Sequence, residues 1–318
     1  MFLSPAQKIE KYFKKHPEIK KIVITGSYGT KSAIYAISSV LSSQLNVSLG
    51  VNTKETCDLA ILDFNSMNSF PNISADIVAL TSCRSESDLR KFAPQLERAK
   101  FILVNMDDIA KELLEKVRAC KGQLITYGDE MPADYYYENV DFTIDGFTGT
   151  FIGPDGARTP ADVHMIGEHN IRPVTLAFAI AELFQIPREQ ISNAIEKIRP
   201  LRGRMSPARG INSSIVIDDS ADISAISIKN GIHAISALPA PSRIVVIKNL
   251  RRKISYNPEF ISEIIIIDPD ISVRQHGIFR NFHDEVSAIQ YLQTRAEAGG
   301  IILLECPLPE IIISYKLD

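Results

Sequence analysis

The sequence predicts an α/β chain in two parts: a P-loop parallel-sheet domain, then a smaller Rossmann-like α/β domain. Three observations carry this. Short branched-aliphatic runs alternate with helical segments over the first two-thirds of the 318 residues. One of those runs stops at glycines that open a helix, in "KIVITGSYGTKSAIYAISSVL" (21–41). The alternation then restarts after "RPLRGRMSPARG" (199–210), which is rich in arginine, glycine and proline and reads as a linker. The expected domains are therefore residues 1–200 and 201–318.

Taken in order, "KIVITG" (21–26) reads as a buried strand and "KSAIYAISSVLSSQL" as the helix it feeds. "LAILDF" (59–64), "ADIVALTS" (75–82), "KFILVNMDD" (100–108) and "GQLITYG" are further strands, with "SESDLRKFAPQLERA" and "DIAKELLEKVRAC" as helices. From about residue 134 the pattern alternates apolar and polar and holds a "PDG" turn signal, which predicts antiparallel strands. Helices resume with "HNIRPVTLAFAIAELFQI" and "PREQISNAIEKI". After the linker come the strands "SSIVIDDS", "SRIVVIKN", "SEIIIIDP" and "GIILLEC", with helices between them.

Composition narrows the function. A net charge of −3 with 23% charged residues gives no electrostatic case for nucleic acid. No apolar run approaches the roughly 18–20 residues that span a bilayer, so no membrane partner is expected. The four cysteines lie far apart in no metal-binding spacing, which predicts neither a zinc site nor a disulfide scaffold, and fits a reducing, cytoplasmic setting. In the N-terminal "IEKYFKK", Ile9, Tyr12 and Phe13 form an apolar stripe and the lysines solvate the other face.

The glycine turn is the chemical centre. A strand that ends at glycines and starts a helix leaves backbone N–H groups unpaired and aimed at one spot, with the positive end of the helix dipole behind them. Gly26 and Gly29 allow close approach, Lys31 adds a mobile positive charge, and Ser32 offers a hydroxyl to magnesium. Ser27 and Thr30 complete the loop. The pairs Asp107/Asp108 and Asp218/Asp219 are read either as metal ligands or as turn and cap residues.

The order of these stretches resembles the Mur ligase family, ATP-dependent ligases that add amino acids or dipeptides to cell-wall precursors. "ITGSYGTKS" is similar to that family's TGxxGK[ST] loop, and "LAILDFNSMN" to a strand ending in a magnesium-associated glutamate, here Asp63. "ADIVALTS" and "ILVNMDD" resemble its Thr-Asn and "VLNADD" strands, and "GEHNIRPVTLAFAIAELFQI" its "GxHNxxNxxAA" helix. "RPLRGRM" matches the Gly-Arg linker and "SSIVIDDS" the "VIDDSY" strand; the dipeptide-adding subgroup is the nearest in pattern. The resemblance implies ATP and Mg2+, with a small-molecule or peptide-precursor substrate. It places Lys31 and the loop amides on the phosphates, Ser32 and Asp63 around magnesium, and Asn170 near the adenine. Arg204 would approach the phosphates, and Asp219 the ribose.

The pattern also departs from the family. The order Gly29-Thr30-Lys31-Ser32 replaces Gly-Lys-Ser/Thr, and a one-residue shift along a helix turns a side chain by about 100°. Asp63 is one methylene shorter than glutamate. "TSCRSESDLRKF" holds no histidine, and Lys91 is only a distant counterpart of a lysine that some members carbamylate. "DSADISA" replaces "DSYNANP", and Glu305 of "ILLECP" stands where a lysine would. The family's UDP-sugar domain is expected to be missing. Three readings stay open: a divergent amide ligase working through an acyl phosphate, a non-catalytic homologue that partners an intact Mur ligase, or a folylpolyglutamate-synthase-like ligase, which no motif favours.

Overall fold

The computed structural model of the chain describes residues 4–51, 57–67, 70–129, 132–248, 259–270, 275–307 and 313–315. In chain order these form α1 (Pro5–Lys15), β1 (Lys20–Thr25), α2 (Thr30–Leu41), β2 (Val47–Leu49), β3 (Leu59–Asp63), β4 (Ile77–Leu80), α3 (Glu86–Leu96) and β5 (Phe101–Asn105). Then come α4 (Lys111–Arg118), β6 (Gln123–Tyr127), β7 (Tyr136–Thr143), β8 (Gly146–Ile152), β9 (Arg158–Val163), α5 (Ile171–Leu183) and α6 (Arg188–Ile195). The rest are β10 (Ser206–Gly210), β11 (Ile215–Asp218), α7 (Ala225–Ser236), β12 (Arg243–Lys248), β13 (Glu263–Ile267), β14 (Gln275–His276), β15 (Phe279–Phe282), α8 (Glu285–Arg295), β16 (Ile301–Leu304) and β17 (Ile313–Tyr315).

The chain divides into two compact units. The first holds 1–140, 148–162 and 170–198; the second holds 141–147, 163–169 and everything from Arg199 onward. Strands β7, β8 and β9 form one three-stranded sheet whose residues are divided between the units.

The first unit is built on six parallel strands in the order β2-β3-β1-β4-β5-β6. Parallel strands covered on both faces need continuous apolar runs, and Ile22, Val23 and Ile24 of β1 and Ile102, Leu103 and Val104 of β5 are fully buried. From β1 the chain moves toward β2 and β3, whereas from β4 it moves the other way, toward β5 and β6. The loop after β1 therefore lies at the divergence between β1 and β4, the customary ligand position in an open α/β sheet. Helix α5 is buried along almost its whole length, Ile171 to Ala181, because α2 packs on it. Ser4 opens α1 with a capping box to Gln7, and Phe13 fixes that helix by its buried ring.

The second unit has an eight-stranded sheet, β14-β15-β13-β12-β16-β11-β10-β17. Its middle strands, from β15 to β11, are parallel; β14, β10 and β17 run antiparallel to their neighbours. Here one expectation is corrected. Residues 206–210, read as part of a linker, are strand β10, with Ser206 opposite Asp218 and Arg209 opposite Ile215. Strand β17 pairs only with Arg209 and Gly210 of β10, so at Pro207 the strand has a neighbour on one side alone, a place that tolerates proline. No helix among the described residues is long and apolar enough to cross a membrane.

Candidate functional site

The loop after β1 is shaped by its glycines. Gly26 has φ +151°, and a Cβ there would lie 2.2 Å from Thr81 Oγ1 and 2.8 Å from the Ser82 nitrogen. Gly29, at φ +80°, is the left-handed N-cap residue of α2. Between them the backbone is held from below by the two residues after β4. Ser27 N–H donates to the Ser82 carbonyl (3.2 Å) and Tyr28 N–H to Ser82 Oγ (2.9 Å). Thr81 Oγ1 donates to the Tyr28 carbonyl (2.6 Å). From β3's side, Asn65 donates to the Gly26 carbonyl and accepts from Thr25 Oγ1 (3.3 Å).

These contacts use the Ser27 and Tyr28 amides within the protein. The amides of the first helical turn, Thr30 to Ser32, point out along the axis of α2 with no intrahelical acceptor. Thr30, directly after Gly29, is buried (6% exposed), whereas Lys31 is exposed and pairs with no carboxylate among the described residues. Ser32 is half-buried on the same turn.

Two charged networks border the loop. Ser27 Oγ donates to Asp88 Oδ2 (2.9 Å), and Lys91 approaches the other oxygen of Asp88 (3.9 Å). On the other side the Tyr28 hydroxyl donates to Asp108, which also receives Arg84 (2.8 Å); that guanidinium lies 5.0 Å from the Tyr28 ring centroid. Arg172, at the start of α5, bridges Asp107 (3.0 Å) and Asp129. Burial, then the nearby Asp129 charge, pushes the Asp107 carboxyl up to about 6. Asp107 and Asp108 thus act as ion-pair partners, and Asp108 also accepts from Asn105 (3.3 Å).

Asp63 ends β3 beside Ile24 of β1. Its Oδ1 accepts the Asn65 N–H (3.0 Å) and its Oδ2 the Ser66 hydroxyl, so the carboxylate caps its own turn. Oxygen donors of this kind suit a hard cation such as Mg2+, which keeps several waters. No group of three or more His, Cys, Asp or Glu capable of holding a metal occurs among the described residues. Asn170 is buried (5% exposed) at the head of α5.

In the second unit Arg204 is half-buried and its charge acts on Asp219. Asp219 is 6% exposed; its Oδ1 accepts Met205 N–H (3.1 Å) and its Oδ2 the Ser227 hydroxyl (3.4 Å). Burial pushes this carboxyl up to about 7 despite those donors.

The structure thus gathers Gly26, Ser27, Gly29, Thr30, Lys31, Ser32 and Asp63 in the first unit, and Arg204 and Asp219 in the second. Sequence reading did not single out Asn65, Ser82, Arg84 or Asp88. Ser82 had a detectable signal, the second of two polar residues after a buried strand, where strand ends in such sheets face the ligand.

A model of the Mur ligase middle domain matches residues 88–181. A curated relative, UDP-N-acetylmuramoyl-L-alanyl-D-glutamate--2,6-diaminopimelate ligase of Listeria monocytogenes serovar 1/2a, is 25% identical over 227 residues, 64% of this chain and 45% of that one. The matches to such curated relatives span between 21% and 46% of their lengths. Among solved structures, MurF ligase from Thermotoga maritima in complex with ADP aligns with a TM-score of 0.74 at 12% identity, over 96% of this chain and 81% of that one. Folylpolyglutamate synthetase from Lactobacillus casei aligns at 0.68 and 13% identity, over 96% and 93%. The likeness to both structures is one of fold. The middle-domain match, the curated relatives and the solved structures together support membership of the Mur ligase family.

Proposed function

We propose that this protein is a divergent Mur-type ATP-dependent amide ligase of peptidoglycan-precursor synthesis. One observation carries the reading. The left-handed Gly29 delivers the first-turn amides of α2, with exposed Lys31, unpaired among the described residues, to the divergence between β1 and β4. Amides, helix dipole and ammonium together favour a polyphosphate.

In this reading Gly26–Ser32 and Lys31 hold the phosphates of ATP and Asn170 lies by the adenine. Arg204 adds positive charge to the transferred phosphoryl group. Ser32 would bind Mg2+ directly and Asp63 through water, and the cation would neutralise charge on the phosphate oxygens. A substrate carboxylate attacks the γ-phosphorus, ADP leaves, and an amine then displaces phosphate from the acyl phosphate. The protein's part is positioning and charge neutralisation. Asp219, bonded within its own unit to Met205 N–H and the Ser227 hydroxyl, is assigned to the ribose in this reading.

Purified full chain with magnesium-ATP should release phosphate only when a carboxylate acceptor and an amine are both present, and Lys31→Ala should abolish the release. A second reading is favoured by two details: a carboxylate, Asp88, bonded to loop residue Ser27, and buried Thr30 where the lysine of the family would stand. It is a non-catalytic, nucleotide-binding partner of an intact Mur ligase. ATP binding without turnover for any acceptor selects that reading.

A further inference from the structure

Arg172, the second residue of α5, fastens three elements at the carboxyl end of the first unit's sheet. Its Nε donates to Asp107 Oδ2 (3.0 Å), on the turn after β5, and to Asp129 Oδ1 (3.0 Å), beyond β6. Its Nη2 donates to the other Asp129 oxygen, and its Nη1 lies 4.0 Å from Asp108 Oδ2. The Asp129 N–H also donates to Asp107 Oδ2 (3.0 Å). None of the hydrogen bonds that Arg172 makes among the described residues goes to the glycine loop.

Asp107 and Asp129 have no other cation within ion-pair distance among the described residues. Without the guanidinium, two adjacent half-buried acids would repel each other, and breaking such a pair on one side is strongly destabilising. The turn that would yield also carries Asp108. That carboxylate is 9% exposed and accepts the Tyr28 hydroxyl, Arg84 (2.8 Å) and Asn105 Nδ2 (3.3 Å). Tyr28 in turn lies between Gly26 and Gly29, whose own backbones are permissive. Arg172 therefore reaches the loop through two intervening side chains.

We propose that Arg172 is a positioning residue of the glycine loop, acting without touching it: it holds the Asp107–Asp108 turn, and Asp108 holds Tyr28. Arg172 also lies two positions after buried Asn170, so the head of α5 and the loop are fastened to one turn and answer together to a ligand at either. The planar fork is what the arrangement needs. It serves Asp107 and Asp129 at once, which the point charge of a lysine does not reproduce. The inference deepens the nucleotide reading of the loop and rests on it only for the ligand arm of the test.

The first arm is amide exchange, read by mass spectrometry on the full chain without nucleotide, for the parent, Tyr28→Phe, Arg172→Gln and the double variant. The reporters are the bonded amides of Ser27, Tyr28 and Ala33. Each single substitution should speed their exchange by about tenfold, and by more than it speeds exchange of β3, so that the loss is local. The double variant should be no faster than the faster single, because both changes cut one path. Helix α2 also packs on α5, and an effect carried by that packing would add to the loss of Tyr28 instead. Arg172→Lys, which keeps the charge without the fork, should fall between the parent and Arg172→Gln; it also serves if Arg172→Gln does not fold.

The second arm is calorimetric titration of the same proteins with magnesium-ADP. Affinity should drop by about threefold or more in each single variant and no further in the double. Unchanged loop exchange in the Arg172 variants, additive effects in the double, or undiminished ADP affinity overturns the proposal. A parent that binds no ADP, with loop exchange as expected, ends the nucleotide reading and leaves the positioning role supported.

Discussion

The Tyr28 hydroxyl donates to the Asp108 carboxylate, tying a residue of the glycine loop to the turn after β5, two strands from the strand that bears the loop. Burial, then this bond, raises the Tyr28 phenol far above its ordinary titration range, so it stays a donor at any physiological pH. Tyr28→Phe removes one donor and leaves Asp108 to Arg84. The expected loss is about 1–3 kcal/mol, the usual cost for a hydrogen bond to a charged group, measured by urea unfolding. An unchanged midpoint would show that the bond adds nothing to loop stability.

The two loop glycines should differ in their tolerance of alanine. At Gly26 a Cβ meets Thr81 Oγ1 at 2.2 Å and backbone at 2.8 Å, so the strand end must shift. Gly26→Ala should cost about 3 kcal/mol, the upper part of the overpacking range. At Gly29 the nearest atom is 3.8 Å away, leaving only the left-handed backbone cost of about 1–2 kcal/mol. Thermal melts of the two variants check the ranking, and equal losses would contradict it.

The unequal visibility of these parts in the sequence has a physical cause. Strands β1, β4, β5, β12, β13 and β16 are buried between helices, so each is a continuous branched-aliphatic run. Strand β2 has three residues, too few for any pattern, and β10 is hidden by Pro207 and Arg209 because its pairing rests on backbone alone. Gly26 and Gly29 could be read because only their residue type fits the turn. Asn65 and Ser82 could not, since their contacts depend on β3 and β4 flanking β1, a fact of strand order rather than of local sequence. Glu305 could be noticed as an acid in a lysine's place, yet its burial depends on α7 lying against it.

Asp88 should oppose a polyphosphate, since its carboxylate sits 2.9 Å from Ser27 Oγ on the loop. Asp88→Asn keeps the hydrogen bond and removes the charge. ATP affinity should rise severalfold, and more at low ionic strength, where screening is weak. Titration calorimetry at two salt concentrations checks this; a fall in affinity would instead assign Asp88 a supporting role, such as holding magnesium.

Restoring the family's order tests whether the loop is disabled by sequence or only displaced. Thr30 is buried and Lys31 exposed, one helical step of about 100° apart. Thr30→Lys with Lys31→Thr moves the ammonium to the position after Gly29 at unchanged net charge. ATP should bind about tenfold tighter, equivalent to about 1.4 kcal/mol. An unchanged constant would mean that the flexible lysine already reaches the phosphates from its present position.

Glu305 makes stability fall with rising pH. Its carboxyl is held at about 9 in the folded chain, above the ordinary glutamate value near 4.3. A raised acid keeps its full contribution below the unfolded value and loses it as pH climbs toward the folded one. The slope is about 1.4 kcal/mol per pH unit for one proton, and Asp219, held at about 7, adds to it up to neutrality. Glu305→Gln keeps a neutral side chain of the same size, so its unfolding free energy should match the parent below about pH 4 and already exceed it by about 1 kcal/mol at pH 5. The gap should widen in favour of the variant from pH 7 to 9. Urea denaturation at pH 5, 7 and 9 measures that difference directly, and titrating groups that do not act on Glu305, as Asp219 does, cancel between the two proteins. Parallel curves would mean that Glu305 ionises without hindrance, which its 0% exposure and unpartnered oxygens do not permit.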